Sequence, residues 1–325
     1  MKKDDVLRLL RNAGSGYVSG AFLAAEMGVS RTAVWKHIKA LEREGCTIEA
    51  VPSKGYSLKA SPDVIMPGEV KRGLGTRTIG KEVLHYDEAV STNTLAMDLA
   101  REGAVDGTVV IAETQTGGKG RLGRTWISLR GNLYMSVILR PAVPISKAPL
   151  ITLMGAVAVA SSIRRHCGVQ AGIKWPNDIL LSGKKVSGLL TEMSAEPDRI
   201  RHVVLGIGVN VNMDSKALPP DVRRMSTTLA SAMGTPVDRT AFLRTLLNEL
   251  DRWYHRFLHN DAEVLAAWKE QNVTLGHRVA VSGGGAKLEG LARGVDAEGR
   301  LILKLDDGTL RQVAAGDVTI MKKKL

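Results

Sequence analysis

The segment Gly117-Gly118-Lys119-Gly120-Arg121-Leu122-Gly123-Arg124-Thr125-Trp126 constrains this chain most, because it interleaves glycines with cations. Glycine has no Cβ, so backbone N–H groups in such a loop can close on an anion, while Lys119, Arg121 and Arg124 add positive charge where phosphates would lie. The loop suits a phosphate or an acyl-adenylate. Farther along, Lys174-Trp175-Pro176-Asn177-Asp178 gathers a cation, an amide and a carboxylate in one short segment.

Gly118-x-Gly120-x-x-Gly123 also spells the dinucleotide fingerprint, which has to follow a strand and open a helix. The residues from Thr125 to Leu139 instead carry Trp, Ile, Leu, Tyr and Val around a Gly131-Asn132 turn, a β-like pattern. The Rossmann reading fails on that context, and a Walker A loop fails for want of Gly-Lys-Ser/Thr. A solvated basic loop is the plain alternative, and three cations gathered around one Trp argue against it.

Composition is that of a soluble enzyme of several domains: 325 residues, 44% of them hydrophobic, are enough for a sizeable core. Cys46 and Cys167 lie far apart with no metal-ligand spacing, so a reducing, cytoplasmic setting is expected. The opening Met-Lys-Lys-Asp-Asp has no apolar signal region. The longest apolar stretch, Ala148 to Ile163, contains Thr and Ser and ends in Arg164-Arg165, which predicts a buried helix rather than a membrane span. A net charge of +12 and a pI near 9.8 call for an acidic partner: nucleic acid, nucleotide or an acidic protein.

Residues 1–60 read as a winged helix-turn-helix. Val6, Leu7 and Leu10 mark a first helix, Ser19 caps a second through Met27, and Gly28-Val29 turns the chain before Ser30, the N-cap of a third. Val34, Ile38 and Leu41 then face inward at helical spacing, leaving Ser30, Arg31, Thr32, Trp35, Lys36 and Lys39 for a DNA major groove. Thr47 to Val51 and Tyr56 to Leu58 flank Pro52-Ser53-Lys54-Gly55 as a wing, with Lys54 placed for a phosphate. A helical packing module with merely solvated basic residues is the alternative, and Trp35 suits bracing the wing as well as touching DNA.

Ser61-Pro62 and Met66-Pro67-Gly68 mark a linker, after which residues 61–272 form the expected central domain. Strands are predicted at Val83 to Tyr86, Thr108 to Glu113, Leu133 to Leu139, Ile179 to Leu181, Val186 to Met193 and His202 to Val211, with a Ser182-Gly183 hairpin. Helices are predicted near Thr94 to Arg101, Lys147 to His166 and Arg239 to Leu258. Interspersed helices and strands make a mixed sheet in an α/β (α+β) chain. Residues 273–325 break into short strands at Gly283-Gly284-Gly285, Gly299 and Asp307-Gly308, which suggests a small SH3-like β-barrel.

These motifs together resemble the biotin–protein ligases, whose signature is a Gly-Arg-Gly-Arg-x-Gly-Arg-x-Trp loop followed by Lys-Trp-Pro-Asn-Asp. The second motif is matched in full. Ser91-Thr92-Asn93, Glu113-x-Gln115, Lys184-Lys185-Val186-Ser187-Gly188 and Gly206-Ile207-Gly208-Val209-Asn210 follow in family order, so the likeness covers nearly the whole chain. Lys119 departs from the usual Arg. Ser30 to Ile38 resembles the recognition helix of the bifunctional ligases that also repress biotin operons.

The resemblance implies a class II synthetase-like catalytic domain that makes biotinyl-5′-AMP from biotin and ATP, with Mg²⁺. It further implies transfer to a lysine of a biotin carboxyl carrier protein, operator DNA as a partner with the adenylate as corepressor, a homodimer when the adenylate is bound, and no membrane. Catalysis would fall to Lys185, Arg121, Asp178 and Lys174, with Lys185 bridging the biotin carboxylate and α-phosphate. Biotin would meet Ser91, Thr92, Asn93, Gln115, Gly118, Lys119, Gly120, Arg121, Lys185, Gly188 and Gly206. The nucleotide would meet Arg121, Arg124, Trp126, Lys174, Asn177, Asp178, Lys185 and Asn210. Blander readings stand beside these: a structural Lys174-Asp178 pair, a turn residue in Asn177, and helix capping by Ser91-Thr92. Val211 to Thr227 carries no aromatic residue to stack on adenine, nothing marks the metal ligands, and His255 and His259 have a metal-like spacing without a catalytic acid. A ligase whose N-terminal domain is no repressor, a lipoate ligase of related fold and a non-enzymatic ligand-sensing transcription factor are the rival functions.

Overall fold

The computed structural model describes residues 2–43, 45–61, 63–196, 199–283 and 286–321, and the chain forms two compact units, Met1–Arg72 and Gly73–Leu325. The first contains α1 (Lys2–Asn12), α2 (Gly20–Met27), α3 (Arg31–Arg43), an antiparallel hairpin of β1 (Thr47–Val51) and β2 (Gly55–Ala60), and the short α4 (Pro67–Lys71). Val6, Leu7 and Leu10 of α1 meet Leu23 of α2 and Val34, Ile38 and Leu41 of α3 in one core. Their helical spacing puts each set on a single face. Ser19 Oγ accepts Phe22 N at 3.1 Å, and Ser30 Oγ accepts Ala33 N at 3.2 Å, so both helix starts are capped as their sequence predicts. The hairpin is the wing, and Val18 bridges Tyr56 beside it. Pro62, half of the predicted linker signal, lies outside the described residues.

In the second unit, β3 (Val83–Ala89), α5 (Thr92–Arg101), β4 (Val109–Gln115) and β5 (Leu133–Leu139) lead into the long α6 (Ala148–Cys167). There follow β6 (Gly172–Lys174), β7 (Asp178–Leu181), β8 (Lys184–Ala195), β9 (Ile200–Val209), α7 (Pro220–Met225), α8 (Leu229–Met233), α9 (Arg239–His259) and α10 (Asp261–Gln271). The seven strands form one sheet in the order β3-β4-β5-β9-β8-β7-β6, parallel at β3-β4 and antiparallel elsewhere. Ala96 and Ala100 of α5 pack with Val110, Ile138 and Val204, while α6 packs against α9 and the strands β6 to β9. The apolar window of Ile145–Cys167 is 72% buried, so α6 is a core helix.

One difference from the sequence expectation has a clear physical cause. Helix α5 starts at Thr92 rather than Thr94, because Gln115 Oε1 takes Thr92 N at 2.8 Å and satisfies one of the donors that a helix start leaves open. Ser91 occupies the N-cap position but makes no capping bond with its side chain. Helices α7, α8 and α10 and strand β6 had no clear periodic signal. The chain ends in β10 (Arg278–Gly283), β11 (Ala286–Val295), β12 (Leu301–Lys304), β13 (Leu310–Val313) and β14 (Asp317–Ile320), an antiparallel five-stranded sheet in the order β13-β12-β11-β10-β14. Gly284 and Gly285, cited as a strand break, lie outside the described residues.

Candidate active site

The Gly–Arg loop leaves the end of β4 and folds back on itself. Gly120 N donates to Arg124 O at 2.7 Å, Trp126 N to Gly118 O at 2.8 Å, and Lys119 bridges Thr125. Leu122, at the turn, has a left-handed backbone, φ 54°, and is 60% exposed. The return of the loop lays the Trp126 indole on the sheet over Gly188 and Gly208, where a Cβ would come within 2.9 and 2.7 Å of the ring. Any larger residue at either position would lift the indole. The Trp126 Nε1 donor is buried and has no partner among the described residues.

The β6-β7 turn and the β7-β8 hairpin bring three of the four expected catalytic residues together. Asp178 opposes Lys174 across the first, Lys174 Nζ standing 3.3 Å from Asp178 Oδ2, and Lys185 reaches Asp178 Oδ1 at 2.5 Å across the second. Lys185 Nζ also lies 5.2 Å from the centre of the Trp126 ring, a cation–π arrangement. Burial by itself would push the Asp178 carboxyl up, but the two ammonium groups hold it below the usual carboxylate range. Asp178 is thereby kept ionised, and it fixes the direction of Lys185.

Arg121 joins this cluster through Asn177, donating from Nη1 to Asn177 Oδ1 at 3.2 Å and to Gly316 O at 3.3 Å. Burial lowers its pKa, and the carboxylates of Asp317 and Asp178 oppose that shift. Asn177 Nδ2 donates to Leu189 O at 2.7 Å, so Asn177 holds the hairpin and orients Arg121 at once. Arg124 turns away to an ion pair with Asp317 at the start of β14. The chain entering β14 therefore touches the loop at Arg121, through Gly316, and at Arg124, through Asp317.

The rest of the cavity comes from the start of α5 and the middle of the sheet. Gln115 Oε1 receives Thr92 N and, at 3.2 Å, Thr92 Oγ1, while Gln115 Nε2 donates to Ser128 Oγ at 2.9 Å. Asn93 is turned inward: it donates to Glu192 Oε2 at 2.8 Å and accepts Ser136 Oγ at 2.6 Å. Its Oδ1 would stand 2.0 Å from a Cβ at Gly206, so Gly206 accommodates Asn93 itself. Ser91, Thr92, Asn93, Gln115, Lys119, Gly120, Arg121, Trp126, Asn177, Lys185, Gly188 and Gly206 line one cavity of ≈ 60 Å³. A neighbouring cavity of ≈ 270 Å³ is lined by Arg124, Trp126, Lys185 and Asn210 with the apolar Met213, Leu218, Val222 and Met225. Trp126 is the aromatic residue in the lining of this cavity.

Gly118 adjoins this cavity through Gln115 Nε2, which would stand 3.1 Å from a Cβ there. Neither Lys174 nor Asp178 lines these two cavities; Lys174 pairs with Asp178, and Asp178 reaches the cavity through Lys185. Ser128, Ser136 and Glu192 were missed in the sequence. The detectable signal was Ser136, the one small polar side chain in the largely apolar β5. Among the described residues no group of three or more His, Cys, Asp or Glu side chains is assembled to cage a metal.

Three family models match successive parts of the chain: an HTH domain over residues 2–57, the Biotin/lipoate A/B protein ligase family over 88–210 and the Biotin protein ligase C terminal domain over 274–321. The bifunctional ligase/repressor BirA of Bacillus subtilis is 38% identical across 98% of both chains, and that of Escherichia coli is 30% identical across 98% of both. Among solved structures, the biotin protein ligase of Aquifex aeolicus in complex with biotin and ATP superposes with a TM-score of 0.65 at 27% identity, covering 75% of this chain and 100% of its own. Likeness of this extent, through the N-terminal helices as well as the ligase core, means that the chain belongs to the family of bifunctional biotin–protein ligase/repressors.

Proposed function

We propose that the chain joins biotin to ATP at the site around Lys185, passes the biotinyl group to a lysine of a biotin carboxyl carrier protein, and represses biotin genes when the adenylate stays bound. The observation that carries this reading is Lys185 Nζ, 2.5 Å from Asp178 and over the Trp126 ring, in a cavity shared with Thr92, Gln115 and Arg121. A biotin carboxylate oxygen attacks the α-phosphorus of ATP, the bond to the bridging oxygen breaks, and pyrophosphate leaves. Negative charge builds between two anions, and preorganised cations are worth most where water is excluded. Lys185 bridges the carboxylate and α-phosphate, Arg121 holds the adenylate, and Arg124 exchanges Asp317 for phosphate. Adenine takes the apolar cavity against Trp126, with Asn210 at its edge. Mg²⁺ would come with the nucleotide and offset phosphate charge, since no cluster of carboxylate, thiolate or imidazole ligands among the described residues would hold it.

Biotin lies against Thr92 and Gln115, while Asn93 shapes the wall above Gly206. In the second step the carrier amine attacks the acyl carbon, an amide forms and AMP leaves. With Lys185 drawn to phosphate, burial of the Asp178 carboxyl is opposed by Lys174 alone, so that Asp178 becomes a better acceptor for the amine proton than in the resting site. The labour divides by domain, with residues 1–60 for DNA, 61–272 for chemistry and 273–325 closing on the Gly–Arg loop. On α3 and the wing, Ser30, Arg31, Thr32, Trp35, Lys36, Lys39 and Lys54 are exposed, although Lys39 pairs with Glu42 at 2.7 Å. An adenylate-bound homodimer presents two α3 helices to two half-sites. Its place of action is the cytoplasm, where carrier and operator are found. ATP-dependent biotin incorporation into an apo carrier domain, with lipoate and octanoate as controls, tests the reading; incorporation of lipoate in place of biotin would overturn it.

A further inference from the structure

Glu113 stands beside Gln115 in the same short motif, yet it lines neither of the two cavities. Its side chain is fully buried and ion-paired, Arg239 Nη2 lying 2.8 Å from Glu113 Oε2, and the Arg239 side chain is equally buried. His85 Nε2 is 3.0 Å from the other carboxylate oxygen. Arg239 Nη1 donates to Asn132 O at 2.6 Å. Asn132 in turn donates to Tyr134 OH at 2.8 Å and accepts Val211 N at 2.8 Å, while Tyr134 OH donates to Leu129 O at 2.7 Å.

A packed apolar pair would hold α9 to the sheet as well as this ion pair does, because taking two charges out of water costs much of what their attraction returns. What the charged pair adds is direction. The guanidinium has donors in a rigid plane, so its contacts with Glu113 and Asn132 set their relative placement. Each contact belongs to a segment that carries part of the site. Gln115 follows Glu113 by two positions on β4, the segment from Trp126 to Ser128 runs into Leu129 and Asn132, and Asn210 immediately precedes Val211.

We infer that Arg239 is a positioning residue for adenylate formation, holding β4, the return of the Gly–Arg loop and the Asn210 segment in one mutual register. Arg239 acts through Glu113 and Asn132, and it touches the reaction only by way of Gln115, Trp126 and Asn210. Misplacement of binding groups by ~1 Å costs on the order of 10²-fold in rate, so a remote staple of this kind has kinetic weight.

The inference rests on the ligase reading, and wild-type protein in the same assay separates the two: no biotinyl-AMP from wild type would sink the ligase reading itself. Full-length Arg239→Met, Arg239→Lys and the double variant Arg239→Met/Glu113→Met are compared with wild type for Tm, for biotin affinity by calorimetry, and for kcat and KM in pyrophosphate release. A merely structural role lowers the folded fraction, and with it kcat, at unchanged KM and unchanged biotin affinity. The expected result is a KM for biotin and ATP raised about tenfold or more in Arg239→Met and in the double variant, whose Tm recovers because no lone carboxylate stays buried. Arg239→Lys keeps the charge but reaches one acceptor at a time, and its KM falls between. It also decides the matter should the other two fail to fold. Wild-type KM and biotin affinity in Arg239→Lys, or their return to wild type together with Tm in the double variant, overturn the inference.

Discussion

Lys185 Nζ stands 2.5 Å from Asp178 Oδ1 between the paired strands β7 and β8, which a Ser182-Gly183 turn joins into a hairpin. The carboxylate aims the ammonium before any substrate arrives, which removes part of the ordering cost from the chemical step. The same contact leaves Asp178 weakly basic until Lys185 is drawn away. In the proposed mechanism, positioning by Lys185 and proton transfer by Asp178 are divided in time between the two residues.

Replacing Lys185 with Met keeps the stem and removes the ammonium. Adenylate formation should fall by ~10²-fold or more, the scale of losing one preorganised charge. Pyrophosphate release at near wild-type rate would refute the assignment.

The Asp178 carboxyl lies below its ordinary range because Lys185 and Lys174 outweigh burial. The stability it contributes is therefore present above the unfolded carboxylate value and is lost as pH falls through the lower folded value. Urea unfolding of wild type and Asp178→Asn should differ by a constant amount down to about pH 4 and converge only below it. Convergence already at about pH 6 would mean that burial dominates.

Arg121→Gly removes the bonds to Asn177 and to Gly316, the residue before β14, while leaving Lys185 in place. Biotinyl-5′-AMP should still form but escape, and biotin labelling of bystander proteins should rise. Unchanged selectivity, read by blotting a mixture of carrier and albumin, would show that Arg121 is not a latch.

Deleting residues 1–60 should preserve carrier biotinylation in kind and abolish operator binding, since every proposed catalytic group lies beyond them. Loss of all adenylate formation in the truncated protein would show that the two activities are not separable.

Arg31→Ala and Lys36→Ala remove exposed groups of α3. Each should weaken operator binding by about 1–3 kcal/mol if it reads a base, or lower the salt slope by about one if it touches phosphate. Carrier biotinylation should not change. In wild type, biotin with ATP should tighten operator binding and shift sedimentation toward a dimer; indifference of both to the adenylate would leave only the ligase.

Local chemistry was legible in the sequence because it depends on neighbours. The inward set Val34, Ile38 and Leu41, the caps Ser19 and Ser30, and the strands around the Gly–Arg loop all follow from spacing within a few residues. The motif residues Thr92, Gln115, Arg121, Asn177, Asp178 and Lys185 were nominated by the resemblance of their short strings to the ligase motifs, not by spacing. Their partners could not be nominated either way. Gln115 starting α5 at Thr92, Trp126 resting on Gly188 and Gly208, Asn93 filling the space above Gly206, Asp317 meeting Arg124, and Arg239 pairing with Glu113 join residues far apart in the chain. A local pattern of polarity carries no record of which distant group will satisfy a buried donor or fill a missing Cβ, because that is settled only when the sheet and helices close on one another.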